Sequence, residues 1–211
     1  MSLPARGSEK RAVPSGSGAL LIVGCSMLPV LVWLDSSSAL RIQPVQMIVT
    51  FMAWITWLGY GGFDIGIFVV LMVAGLCAGR RDLMRRGFIA ALTVLGAGLL
   101  GQVVKNVVCR ARPNAPLAGT FFAEFPCFPA KHALSSFPSG HAAAAFATAI
   151  FLSFWYPSGR WLFFTLATLV AISRVVLGAH FPSDALGGAL IGSASALLVY
   201  AWIPAARRAP P

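Results

Sequence analysis

Residues 87–104 read GFIAALTVLGAGLLGQVV, a run without a single ionisable side chain. A helix needs about 17–25 predominantly apolar residues to cross the hydrocarbon core of a bilayer, so this run is long enough to span one. Similar runs occur along the rest of the chain, which is 58% hydrophobic and only 10% charged and has a mean hydropathy of +0.80. A soluble domain carries about 25% charged residues. The composition therefore excludes an ordinary soluble globule and indicates a membrane protein.

Charge-poor stretches of this kind predict an all-α, polytopic bundle of six membrane-spanning helices. Besides the run quoted above, they comprise residues 18–34, 60–79, 142–159, 161–178 and 185–206. The uncharged segment 43–59 is interrupted by polar side chains, and Trp54, Trp57 and Tyr60 cluster near its end. Tyr and Trp favour the membrane–water interface. We therefore predict an interfacial helix between the first and second spans, with a seventh span as the alternative.

The distribution of the cations predicts the orientation of this bundle. The 16 Lys and Arg residues outweigh six Asp and Glu, which gives a formal charge of +10. Such a charge could serve nucleic-acid binding, but cations between apolar runs are better explained as topology signals, which accumulate on the cytoplasmic side. Six spans place ten of the sixteen on that side: Arg6, Lys10, Arg11, Arg80, Arg81, Arg85, Arg86, Arg160, Arg207 and Arg208.

This topology predicts three regions in an inner-membrane protein without a nucleic-acid partner. Residues 1–17 form a flexible cytoplasmic tail, 18–206 the six-helix membrane domain, and 207–211 a second cytoplasmic tail. The apolar run 20–34 follows cations as in a signal peptide, but no small-residue cleavage pattern stands out after it. We therefore expect a retained anchor.

Six ionisable side chains fall at the predicted outer ends of helices, where such residues are costly and indicate function. They are Lys105, Arg112, His141, Arg174, His180 and Asp184. Lys105 and Arg112 are seven residues apart, so on a continuous helix they would point within about 20° of each other. Two cations on one stripe suit an anion with several oxygens, although a pair that grips lipid headgroups would have the same spacing.

A second pattern, Pro138-Ser139-Gly140-His141, directly precedes an apolar helix. Ser139 is a suitable N-cap, and the first turn of a helix presents unpaired N–H groups that attract anions. Gly140 has no side chain to keep a phosphate at a distance, and His141 would lie beside that anion. An ordinary capped helix with an interfacial histidine is the alternative explanation.

The third pattern is Ser173-Arg174, five residues, His180, three residues and Asp184. Arg174 can bind phosphate oxygens in a bidentate manner. A carboxylate close to a histidine can accept its Nδ1 proton and leave Nε2 free as a nucleophile or base. Asp184 could instead simply stabilise the N-terminus of the last helix. Taken together, the three patterns supply the groups that phosphoryl transfer without a metal requires.

The three patterns together resemble the signature of the type 2 phosphatidic acid phosphatase superfamily of membrane lipid phosphatases. In this chain the signature reads Lys105, six residues, Arg112-Pro113; then Pro138-Ser139-Gly140-His141; then Ser173-Arg174, five residues, His180, three residues, Asp184. No specified position departs from the family pattern. The six-helix plan is also similar to that of bacterial members. The related vanadium haloperoxidases share the signature but are soluble, which the composition excludes.

The resemblance implies a phosphohistidine mechanism. His180 would attack phosphorus, Asp184 would orient His180, and His141 would protonate the leaving oxygen and later activate water. The phosphate-binding residues would be Lys105, Arg112, Ser139, Gly140 and Arg174. We expect no cofactor and no metal, since Asp184 is used by His180 and the other nearby carboxylates, Asp64 and Glu124, are isolated.

The predicted function is removal of the terminal phosphate from a lipid at the outer, periplasmic face of the inner membrane. The candidate substrates are phosphatidic acid, phosphatidylglycerol phosphate, undecaprenyl diphosphate and a lipid A phosphate. A lipid phosphotransferase would use the same site, and a non-catalytic lipid-binding or transport protein is a more distant alternative. Cys109 and Cys127 fall on the outer side, where an oxidising compartment would allow a disulfide between them.

Overall fold

The computed structural model of the protein describes residues 17–36, 45–128 and 131–203. Over these ranges the chain is helical and contains no strand, which confirms the all-α prediction for the described residues. The helices are α1 (Ser17–Ser36), α2 (Gln46–Ile55), α3 (Gly61–Cys77), α4 (Arg81–Val108), α5 (Gly140–Trp155), α6 (Arg160–Val176) and α7 (Pro182–Trp202). Apart from Ser17, the predicted tails at 1–17 and 207–211 lie outside the described residues.

Three helices of the described chain are long and apolar enough to cross a membrane by themselves. They are α4, α6 together with the 3₁₀ turn before it, and α7. The apolar helices in α1 and α5 are shorter, with bounds of Leu21–Asp35 and Gly140–Trp155. Each of the six predicted spans thus coincides with a helix, while the number of six crossings remains a prediction.

The segment that we predicted to lie at the interface forms α2 and a 3₁₀ turn, Thr56–Gly59. This unit meets α3 at a bend of 48°, and the two together are long and apolar enough for one broken span. The segment packs against α5 and α6. A Cβ atom on Gly59 would clash with the main chain of His141, so the turn lies directly against the start of α5.

Helix α4 ends earlier than the spacing of its cations suggested. Its last residue is Val108, and Cys109 has a left-handed backbone conformation with φ 48°. Arg112 therefore lies in the following loop, so the condition of a continuous helix is not met and Arg112 does not share a helical stripe with Lys105. The structure joins Cys109 to Cys127, with their Cα atoms 5.9 Å apart, and this bridge closes the first part of the loop.

Helix α5 packs against α4, α6 and α7 and brings the site residues together. Its contact with α7 is very close: a Cβ on Gly188 would overlap the Ser139 carbonyl, and one on Gly192 would overlap the Ala143 carbonyl. Small residues allow membrane helices to approach in this way. The start of α5 consequently lies beside the start of α7.

Candidate active site

The N-terminal end of α5 forms one part of the site. Ser139 is the N-cap, and its hydroxyl oxygen accepts a hydrogen bond from the backbone N–H of Ala142 at 3.5 Å. The backbone N–H of Ser139 donates to the carbonyl of Asp184 at 2.9 Å, which ties this helix start to α7. The N–H groups of the first turn and the helix dipole make this end attractive to an anion. The predicted cap is confirmed in its local geometry.

His180 is the most sharply defined group of the site. It is buried, 3% exposed, and its Nδ1 atom lies 2.8 Å from the carbonyl oxygen of Ser136. Because a carbonyl oxygen only accepts, Nδ1 carries the proton and Nε2 keeps its lone pair. Burial lowers the pKa of His180, and the negative charge of Asp184 partly opposes that shift. The neutral ring with a free Nε2 is therefore the dominant form at neutral pH.

Asp184 lies near His180 but is engaged mainly by other partners. Its Oδ2 atom accepts from the Ser136 hydroxyl at 2.5 Å and from the backbone N–H of Phe181 at 2.8 Å. The distance from that oxygen to Nδ1 of His180 is 3.7 Å. The sequence pattern assigned the Nδ1 proton to this carboxylate. In the structure the Ser136 carbonyl accepts it, because Asp184 caps α7 and bonds Ser136.

Arg112 reaches the site from the loop and is held by backbone carbonyls. Its Nε atom donates to the backbone carbonyl of His132 at 2.9 Å. Its Nη1 atom donates to the backbone carbonyl of Ala179, the residue before His180, at 3.3 Å. Burial lowers the pKa of Arg112, while Asp184 raises it. The guanidinium of an arginine stays protonated in proteins. A cation is thus fixed close to the buried histidine.

Arg174 at the end of α6 is positioned by the predicted interfacial segment. Its Nη1 atom donates to the hydroxyl of Thr56 at 2.8 Å. Its Nε atom is buried and has no hydrogen-bond partner among the described residues. An unpaired buried donor is costly and calls for an explanation. A bound phosphate oxygen would satisfy it.

The three predicted cations converge on one region. The pKa of the exposed His132 is lowered first by the charge of Arg112, then by partial burial, and then by Lys105 and Arg174. The ammonium group of Lys105 lies 3.8 Å from where a Cβ of Gly140 would stand. A glycine at this position therefore leaves open the space between the lysine and the first turn of α5.

His141 follows Gly140 in the first turn of α5 and is half-buried. Its ring centroid lies 6.0 Å from that of Tyr60, which follows the 3₁₀ turn of the interfacial segment. The charges of Arg112 and Arg174 act on the buried His180 as well. All eight predicted site residues thus belong to the ends of α4, α5, α6 and α7 or to the loops between them.

Sequence reasoning missed four residues that hold this arrangement: Asp35, Thr56, Arg110 and Ser136. Arg110 is 1% exposed and forms an ion pair with Asp184. The sequence signal for Arg110 was its position two residues before Arg112 in a charge-poor chain. A single serine or threonine, such as Ser136 or Thr56, has no comparable signal of a role at the site. Among the described residues, no three His, Cys, Asp or Glu side chains lie close enough to hold a metal ion.

The fold and the site define a class of all-helical membrane protein in which two histidines and three cations lie at helix ends and in the adjoining loops, around the capped start of α5. The family model of the PAP2 superfamily matches residues 86–208, more than half of the chain, and this range includes every predicted site residue. The chain therefore belongs to the PAP2 superfamily.

Similar proteins of known name act on different lipids. The lipid A 1-phosphatase of Rhizobium johnstonii is 35% identical over 106 residues, which cover 50% of this chain and 43% of that protein. The undecaprenyl-diphosphatase of Sulfolobus acidocaldarius is 33% identical over 108 residues, 51% of this chain and 50% of that protein. The chain thus spans about half the length of these relatives.

A solved structure shares the fold over most of the chain. The crystal structure of a transmembrane PAP2-type phosphatidylglycerolphosphate phosphatase from Bacillus subtilis matches with a TM-score of 0.62 and 26% identity. The match covers 86% of this chain and 94% of that one. The described helices therefore form a PAP2-type membrane fold.

Proposed function

We propose that the protein is a membrane lipid phosphatase that hydrolyses a terminal phosphate through a phosphohistidine on His180. The observation that carries this proposal is the state of that histidine: it is buried, its Nδ1–H donates to the Ser136 carbonyl, and its Nε2 keeps the lone pair. A neutral imidazole among cations is suited to attack a phosphate, because the cations draw in the anion without protonating the ring.

In the first step, the Nε2 lone pair of His180 attacks phosphorus and the bond from phosphorus to the lipid oxygen breaks. His141, in the first turn of α5, donates a proton to the leaving oxygen. The negative oxygens of the transferred group face Arg112, Arg174, Lys105 and the first-turn N–H groups, which stabilise charge in the transition state. The unpaired Nε of Arg174 gains a partner in this step.

In the second step, water attacks phosphorus and the P–N bond breaks, with the electron pair returning to Nε2. His141, now neutral, accepts the proton of that water. Inorganic phosphate leaves, and both histidines return to their starting states. The three cations neutralise the charge that a metal ion handles in other phosphoryl-transfer enzymes, which supports a metal-independent reaction.

An apolar anchor on the substrate fits the surroundings of the site. A groove of about 550 Å³ runs between α1, α5, α6 and α7. None of the eight predicted site residues lines this groove. Its lining on α7 begins at Leu186, two residues after Asp184, and its lining on α6 includes Arg160, at the opposite end of that helix from Arg174. Apolar lining of this kind suits a hydrocarbon chain better than a soluble phosphate ester. The names of the relatives point to phospholipid, lipid A or polyprenyl substrates.

A release assay on purified protein tests the proposal. Phosphatidic acid, phosphatidylglycerol phosphate, undecaprenyl diphosphate and a lipid A phosphate are supplied in mixed micelles, with and without EDTA. We expect inorganic phosphate from at least one lipid and the same rate in EDTA. Transfer of labelled phosphate to a second lipid, without free phosphate, would instead identify a phosphotransferase, and a strict requirement for Mg²⁺ would refute the metal-independent mechanism.

We further propose that six helices cross the inner membrane, with the tails in the cytoplasm and the site at the outer face. The distribution of cations supports this orientation. The bridge between Cys109 and Cys127 supports it too, because disulfides persist in oxidising compartments.

The bridge makes the orientation testable. Protein from cells lysed in a thiol-blocking reagent should show two blocked thiols, those of Cys25 and Cys77, which are free in the structure. Because the bridge closes 18 residues of loop, Cys127→Ser should lower stability by about 2–4 kcal/mol in thermal unfolding, whereas Cys77→Ser should not. Four blocked thiols in unreduced protein would contradict both the bridge and an outward-facing loop.

A further inference from the structure

Arg110 is the most completely bonded cation in the described part of the chain. Its side chain is 2% exposed. Its Nη1 atom donates to Asp184 Oδ1 and to the Ser183 hydroxyl, both at 2.6 Å, and its Nε atom donates to the Gly119 carbonyl at 3.3 Å. The guanidinium lies between two aromatic rings, 4.4 Å from the centroid of Phe121 and 4.3 Å from that of Phe181. Its plane and its position are therefore both fixed.

The remaining arm of Arg110 binds a second carboxylate, at the end of α1. Its Nη2 atom lies 3.0 Å from Asp35 Oδ2. The hydroxyl of Ser183 donates to the same oxygen of Asp35 while it accepts from Arg110. The side chain of Asp35 is 1% exposed. A helix remote in sequence is thereby connected to the residues that surround His180.

The charges of this network do not cancel. Arg110 has one formal positive charge and the carboxylates of Asp35 and Asp184 have two formal negative charges, so these three buried side chains have a formal net charge of −1. Without Asp35, the pair of Arg110 and Asp184 would be neutral. A neutral pair gives little electrostatic stabilisation to a cation beside it, whereas a net negative cluster in a low-dielectric site stabilises one strongly.

The cation that needs this stabilisation is the phosphorylated imidazole. When Nε2 of His180 bonds to phosphorus and Nδ1 keeps its proton, the ring becomes positively charged. Nδ1 lies 3.7 Å from Asp184 Oδ2, the nearest oxygen of the cluster. The orientation of the Asp184 carboxylate matters equally. Arg110 binds its Oδ1 atom, so its Oδ2 atom accepts from Ser136 and faces His180.

We propose that Arg110 is a positioning residue that holds Asp184 beside His180, and that Asp35 supplies the excess negative charge that stabilises the phosphorylated ring. The inference rests on the proposed function, since it takes His180 as the nucleophile. It assigns a role in the reaction to α1 through one carboxylate. It also explains why an arginine outside the three sequence patterns is buried at the site.

Three variants separate the charge from the geometry. Asp35→Asn keeps the size of the side chain and makes the cluster neutral. Arg110→Lys keeps the charge but loses the planar guanidinium that donates to four acceptors at once. The double variant Arg110→Met/Asp35→Asn restores a net charge of −1 without the guanidinium. Lys131→Gln, which removes an exposed ion pair with Glu124 from the same loop, is the matched control.

Phosphate release and thermal unfolding are measured for each variant. We expect Asp35→Asn and Arg110→Lys to lower kcat by about 10-fold or more with KM within about 2-fold of the original. This pattern is expected when an interaction that stabilises only the transition state is removed. The double variant should fold and remain slow, and Lys131→Gln should retain full activity. Unchanged kcat in Asp35→Asn would overturn the role of its charge, and full recovery in the double variant would overturn the positioning role of Arg110.

A second readout does not depend on turnover. The imidazole ¹⁵N spectrum of histidine-labelled protein contains three rings, and His180→Asn assigns the one of interest. Asp35→Asn and Arg110→Lys should both shift the ring nitrogens of His180, while Lys131→Gln should not. If the unaltered protein releases no phosphate from any lipid, the proposed function fails. A His180 spectrum unaffected by both substitutions overturns the present inference whether or not the protein is active.

Discussion

Replacing His180 by Ala should reduce phosphate release by at least roughly 10³-fold, since losses of that order or larger follow removal of a catalytic nucleophile. The expected cause is chemical, because the substitution removes the Nε2 lone pair that the proposed mechanism uses to attack phosphorus. The truncation also leaves the Ser136 carbonyl without its donor. His180→Asn is therefore measured in parallel, because its side-chain amide can still donate to that carbonyl but cannot form the intermediate.

The chain provides a matched histidine for this experiment. His132 is exposed, and its contact with Arg112 uses its backbone carbonyl, which a substitution leaves in place. His132→Asn should thus retain most of the turnover while both His180 variants lose it at an unchanged unfolding temperature. Near-normal turnover in a folded His180→Asn protein would refute the assignment of the nucleophile.

The sequence predicted the helices well because each is an apolar run bounded by charges or by Gly and Pro. It predicted the site less evenly. Ser139 was found because capping is local: the serine and the N–H that it accepts from are three residues apart. The spacing of Lys105 and Arg112 would place them on one stripe only if the helix continued to Arg112, and the helix ends at Val108. The conformation of Cys109 that ends it depends on the loop and could not be read from spacing alone.

The partners of His180 show the limit of such reasoning most clearly. The pattern offered one carboxylate, Asp184, for its Nδ1 proton, whereas the structure uses the backbone carbonyl of Ser136, a group that every residue carries. The same carboxylate is bound by Arg110, which is 74 positions away in the chain. Contacts of this range arise from the close packing of α5 on α7 and from the disulfide-closed loop, and both are properties of the folded chain.

His141→Gln should allow the two steps of the proposed reaction, phosphorylation of His180 and hydrolysis of the phosphohistidine, to be observed separately. With a lipid phosphate, whose leaving oxygen needs a proton, turnover should fall by roughly 10²–10⁴-fold, the usual contribution of a general acid–base. With an aryl phosphate such as p-nitrophenyl phosphate, the leaving group departs without protonation, so attack by His180 no longer depends on His141. Hydrolysis of the P–N bond still requires a base for the water.

The expected result is therefore a burst of nitrophenolate equal to the number of active sites, followed by slow turnover. Labelled phosphate should remain on the protein in an acid-labile, base-stable form, as phosphohistidine does. The burst and the label should both disappear when His180→Asn is added to His141→Gln, because the acceptor is then gone. If His141→Gln lowers turnover equally on lipid and aryl substrates and no labelled protein forms, His141 does not act as the proton donor to the leaving group.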